Sequence, residues 1–158
     1  MELIIAPAIV ARATYPLPPT LNNLIATIWL PGRAMGKARP RLGKYGIFMP
    51  KNYVQWKSGA ILQTIRSRAP QPEKACAIEC LFVNFASSDS DNLTGSVLDA
   101  LVDANYLRGD SSSCVVSSQG RFVKTKKKRN QPKPIGVLVK VYDAEIEEID
   151  FEVFSDFD

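Results

Sequence analysis

Between residues 75 and 85 the chain is almost unbroken in apolar side chains, with Glu79 and Asn84 as the exceptions. A half-exposed strand would alternate polar and apolar residues. A continuous run instead suits a central strand buried on both faces. Ser87-Ser88 ends it, and the period then changes. From residue 92 to 106, Leu93, Val97, Leu98, Leu101 and Ala104 fall on one helical stripe, with Asn92, Ser96, Asp99 and Asp103 opposite. Asp91 or Asn92 is placed to cap that helix. Between strand and helix lies Asp89-Ser90-Asp91-Asn92-Leu93, and Asp110 follows the helix.

The flanking elements are shorter. Residues 25–30 are β-branched and apolar and stop at Pro31-Gly32, so they read as a strand ended by a turn. Residues 32–41 carry four basic side chains among two glycines and a proline, which predicts a loop. Residues 45–49 read as a short strand. Pro50 can open a helix, because the first turn does not use its missing N–H. In that helix Tyr53, Trp56, Ala60, Ile61 and Ile65 form the apolar stripe, with Trp56 read as core packing, and Pro70-Gln71-Pro72 lies beyond its end. Residues 113–124 and 135–142 read as two more strands, the first with a kink at Gly120. The expected fold class is α/β, more strictly α+β: a single domain with a mixed β-sheet of about four to five strands and two main helices. A chain of 158 residues is one domain's worth. Residues 1–23 read as an extension with no clear element.

The chain contains no histidine. That excludes His-based triads, His-liganded zinc and His general bases. Cys76, Cys80 and Cys114 are an odd number without C-x-x-C spacing, which argues against a disulfide framework or a four-ligand zinc site. No stretch reaches the roughly 18 apolar residues of a membrane span. The expectation is a reduced, cytoplasmic, nucleoid-associated protein with no membrane partner.

Carboxylates are therefore the best means of chemistry available. In an extended backbone Asp89 and Asp91 would point to the same side. Left alone, two such anions repel and one tends to hold its proton. Mg²⁺, or Mn²⁺ in its place, removes the conflict, because it prefers oxygen ligands and takes one or two protein carboxylates with waters and substrate phosphate. Asp110 is expected to return to the same sheet edge and complete a site for in-line attack of water on a phosphodiester. Helix capping is the plainer role for Asp-x-Asp-Asn. A phosphatase-type Asp-x-Asp would follow its strand directly and need partner motifs that are missing here.

Charge supports a polyanionic partner. Residues 143–158 hold eight acidic side chains and no basic one, while all twenty Lys and Arg lie earlier, giving the body a net +12. Arg33, Lys37, Arg39 and Arg41 form one cationic segment. Lys124, Lys126, Lys127, Lys128 and Arg129, with Lys133, form another. Both are read as contacts to DNA phosphate, with recognition by shape rather than base edges. The acidic tail is expected either to fold over this surface in competition with DNA or to dock on a protein partner.

The block Asp89-x-Asp91-Asn92-Leu93, then Val97-Leu98-Asp99-Ala100-Leu101, then Asp110, resembles the RusA family of Holliday junction resolvases. Lys37-Ala38-Arg39-Pro40-Arg41 and Tyr53-x-x-Trp56 are similar to its phage and prophage members. The likeness covers roughly residues 24–143, leaving residues 144–158 as an acidic tail. It implies a homodimeric, Mg²⁺-dependent crossover junction endodeoxyribonuclease. That enzyme would cut branched, four-way DNA symmetrically in recombination and repair, with Asp89, Asp91 and Asp110 as catalytic metal ligands. Asn92 and Asp99 would support them. One departure stands out. Members commonly have a functional lysine four residues after the second aspartate, and here that position is Gly95. Either another cation, with Lys126, Lys127 and Lys128 the candidates, replaces it, or the protein binds junctions and cuts them poorly. A small RNA-binding domain is a third reading.

Overall fold

The computed structural model describes residues 23–85, 89–126 and 131–146. The elements in order are β1 (Leu24–Pro31), β2 (Arg41–Gly43), β3 (Gly46–Phe48), α1 (Lys51–Ser67), β4 (Cys76–Val83), α2 (Ser90–Asp103), β5 (Val115–Val123) and β6 (Gly136–Asp143). A four-stranded sheet runs β1-β6-β4-β5, and β2 pairs with β3 in a separate hairpin. β4 and β5 are parallel and the other pairs antiparallel, so the domain is α+β with a mixed sheet.

Burial follows the pleat. Ile28 and Leu30 of β1, Ile78, Cys80 and Phe82 of β4, and Val137, Val139 and Val141 of β6 meet Leu93, Val97, Ala100 and Leu101 of α2 in one core. α1 packs against β1 and α2, with α2 also on β5. Complete burial of a side chain such as Phe82 contributes about 2–3 kcal/mol. Every residue of β4 is buried, the apolar ones as the nearly continuous run predicted and Glu79 with them. Glu79 is satisfied within that strand. Its carboxylate accepts from Arg121 Nε at 2.9 Å and from the Tyr142 hydroxyl at 3.3 Å, with Lys140 Nζ 3.7 Å away.

Three local expectations change. Arg41, assigned to the loop, instead begins a strand, and residues 41–43 pair with β3 across a turn at Lys44-Tyr45. Ile65 is 58% exposed, and Thr64 takes its place on the buried face of α1 beside Tyr53 and Ala60. Burial costs Thr64 little because its hydroxyl donates to Ala60 O at 2.9 Å. β5 does not kink at Gly120. Pairing with β4 runs through it, and the irregularity lies opposite Cys76 and Ala77. Gly120 is needed for close approach instead: a Cβ there would sit 2.7 Å from the Phe82 ring.

The connection β4–α2–β5 carries Asp89, Asp91, Asp99 and Asp110. Because β4 and β5 are parallel, α2 must carry the chain back along the whole sheet. Its 14 residues span about 20 Å.

Candidate functional site

Asp89 is the N-cap of α2. Its backbone is extended (φ −81°, ψ 114°), and its Oδ1 accepts from Asp91 N at 3.0 Å and Asn92 N at 3.3 Å. The cap was expected at Asp91 or Asn92. The helix starts earlier because the Asp89 carboxylate satisfies two of its orphan N–H groups. Asp91 is therefore already helical, in the first turn, and the pair does not project from an extended strand. Both residues are exposed. One oxygen of Asp89 is committed to the cap. Its other oxygen and the Asp91 carboxylate are hard donors two residues apart, a set that suits a cation taking one or two protein carboxylates.

Asp110 lies elsewhere. It follows the C-terminal end of α2 and precedes β5, which starts opposite Cys76. Asp89 follows the other end of β4, beyond Val83. The two are separated by the length of α2, so Asp110 does not join Asp89 and Asp91 within one chain. No group of three or more metal-ligating side chains occurs among the described residues. The expected return of Asp110 to the same edge fails because a parallel crossover starts the next strand at the far end.

The cations do gather at the Asp89 end. Pro31 pairs with Gly136, Val83 pairs with both Gly136 and Val123, and Gly32 N donates to Ile135 O at 2.8 Å. The loops after β1, after β5 and before β6 thus leave from one end of the sheet. Arg33, Lys37 and Arg39 lie on the first of these, and Lys124, Lys126 and Lys133 on the others; all are exposed. Arg41 begins the hairpin, whose Leu42, Tyr45, Ile47 and Phe48 are also exposed. Lys127, Lys128 and Arg129 lie outside the described residues, as does most of the acidic tail.

Two arrangements hold these loops. Asn84 has φ +58° and donates through Nδ2 to Thr125 Oγ1 at 2.8 Å and to Pro134 O at 2.7 Å, tying β4 to both ends of the second basic segment. The sequence signal was a single asparagine breaking an apolar run, a residue that tolerates the left-handed region. The second arrangement is the landing of the first basic loop on α2. Gly36 lies against the Asn92 side chain, and Lys37 crosses Gly95 to reach Asp99, with Nζ 3.0 Å from Oδ1. A helix-interior glycine costs about 1 kcal/mol against alanine, and the Lys37 stem occupies the space it leaves. Asp99, expected in a supporting role, therefore holds a cation. One turn on, Lys57 Nζ lies 2.7 Å from Asp103, whose hydrogen bond raises the lysine's pKa.

Cys76 and Cys80 offer no second chemistry. Burial pushes the thiol of Cys76 up to about 11 and that of Cys80 up to about 12, so neither supplies a nucleophile near neutral pH. No helix among the described residues is long and apolar enough to cross a membrane. No protein-family model and no curated protein matches the chain.

Proposed function

We propose that the protein is a metal-dependent, structure-specific endodeoxyribonuclease that resolves four-way DNA junctions as a homodimer, as its resemblance to RusA-type resolvases implies. The single observation that carries this reading is the meeting of both basic loops and the Asp89/Asp91 pair at one end of the sheet. Cations there neutralise backbone phosphates and bring a phosphodiester to the carboxylates. Asp89 and Asp91 would hold Mg²⁺, or Mn²⁺ in its place, which when bound supplies a polarised water for phosphodiester hydrolysis. Asp89 also orients Asp91 by fixing the first turn of α2.

The dimer would supply what one chain lacks. Two antiparallel copies of α2 related by a two-fold axis exchange ends, so Asp110 of one would come beside Asp89 and Asp91 of the other. The same symmetry gives two sites and paired nicks. The place of action would be nucleoid DNA.

A synthetic four-way junction incubated with Mg²⁺ tests the proposal. Paired symmetric nicks are expected from the wild type, with loss of cleavage but retention of binding in Asp91→Asn. An intact junction, or an unimpaired variant, would reject it. A second reading, a junction-binding protein without cleavage, is favoured by the distance between Asp110 and the pair. It predicts tight metal-independent binding and no nicks.

A further inference from the structure

We infer that Lys37 is the cation that contacts the DNA phosphate beside Asp91, delivered from the loop after β1 across a glycine in α2. The inference deepens the nuclease reading and rests on it for the identity of the ligand.

Asp91, Gly95 and Asp99 are spaced by four and share one face of α2. A Cβ on Gly95 would lie 2.9 Å from Lys37 Cε and 3.5 Å from both Cδ and Nζ. The aliphatic stem of Lys37 thus fills the place where any other side chain at 95 would begin. Gly36 repeats the device from the opposite partner, since it is the loop that lacks a Cβ where it meets Asn92. Two Cβ-less positions, one on each partner, seat the loop on the first two turns of the helix. The ammonium is then held by Asp99 at 3.0 Å, while the side chain stays 48% exposed. An ammonium has three donors. The Asp99 bond uses one and fixes the direction of the others. Lys37 therefore stands one turn along from Asp91 on the same exposed face. A phosphate brought to this end of the sheet by the basic loops meets it there, where charge develops on the nonbridging oxygens during hydrolysis. Asp99 is a positioning residue that acts through Lys37.

The test moves the charge from loop to helix. Lys37→Ala and the double variant Lys37→Ala/Gly95→Lys are compared with the wild type in two assays. One is the rate of junction cleavage with Mg²⁺. The other is junction affinity against salt concentration, measured without divalent ions. Lys37→Ala is expected to slow cleavage about a hundredfold and to lower the slope of log affinity against log salt by about one. Gly95→Lys in that background puts an ammonium on the same face and is expected to recover most of both losses. A surface ion pair with no further role predicts neither loss nor recovery. Unchanged slope and rate in Lys37→Ala overturn the inference, and so does failure of the double variant to recover either while its circular dichroism stays native. If the wild type makes no nicks, the nuclease reading falls separately and the salt slope alone decides whether Lys37 touches phosphate.

Discussion

Asn84 and Thr125 hold each other by two hydrogen bonds that run in opposite directions. Asn84 Nδ2 donates to Thr125 Oγ1 at 2.8 Å, and Thr125 N donates to Asn84 Oδ1 at 3.0 Å. Asn84→Ala loses both of these bonds and the one to Pro134 O, and forces alanine into the left-handed region, at an expected cost of about 2–3 kcal/mol. Asn84→Gly keeps the backbone conformation free of strain and should cost about 1 kcal/mol less. Urea unfolding measures the gap. Both variants release the second basic segment, so both are expected to weaken junction binding alike.

Gly95 and Gly120 are predicted to respond oppositely to alanine. At Gly95 the new methyl meets only the flexible end of Lys37, and helix propensity favours alanine by about 1 kcal/mol. Gly95→Ala should therefore raise Tm while displacing Lys37 and slowing cleavage. At Gly120 the methyl meets the Phe82 ring, the Thr94 hydroxyl and the Ser90 carbonyl. Overpacking there should cost about 1–3 kcal/mol. Thermal melts of the two variants check both signs.

The β2–β3 hairpin presents Tyr45 at its turn, 94% exposed, with Lys44 Nζ 5.6 Å from the ring centroid. Arg39 lies just before the hairpin and Arg41 begins it. On the DNA reading this ring stacks on bases at the branch point. Tyr45→Ala should leave stability within about 0.5 kcal/mol and weaken four-way junction binding about tenfold, the scale of one lost base–aromatic stack. Equal affinity in a gel-shift titration would remove the hairpin from the interface.

Alkaline pH should destabilise the fold through groups that resist ionisation inside it. Burial pushes Cys76 up to about 11, and Cys80 and Tyr106 up to about 12. In the unfolded chain thiols ionise near about 8.5 and tyrosine near about 10. Their contribution is fully present below those values. It is lost as pH rises, because the unfolded state releases protons first, until the folded values are passed. Urea midpoints should therefore fall between pH 8 and pH 11, and Cys80→Ala should flatten that fall. A flat profile in the wild type would contradict the assignment.

The sheet and both helices were legible because their periods are strong. The continuous run around Ile78 to Phe82 specified a strand buried on both faces, and the Leu93–Val97–Leu101 stripe specified α2. The end at which Asp110 emerges was not read, although its spacing contained the answer. Nineteen residues that include a full-length helix carry the chain away from Asp91, not back to it. Lys37 and Gly95 lie far apart in sequence, and neither residue alone signals the other. Only the docked loop shows why a glycine sits in the second turn of α2. Asn84 looked like an interruption because its two partners, Thr125 and Pro134, are brought near only by the pairing of β5 and β6 with the two edges of β4.

Asp143 N donates to Asn23 O at 3.1 Å, and Ala144 N donates to Ala75 O at 3.3 Å. The first and last strands of the sheet thus begin and finish side by side, on the side facing away from the cationic loops. Asn23 and Ala144 therefore lie beside each other at the end of the sheet opposite the surface proposed for DNA. A short linker joining Asn23 to Ala144, with new ends cut at Lys44-Tyr45, would give a rearranged chain whose ends lie in the exposed hairpin beside the first basic loop.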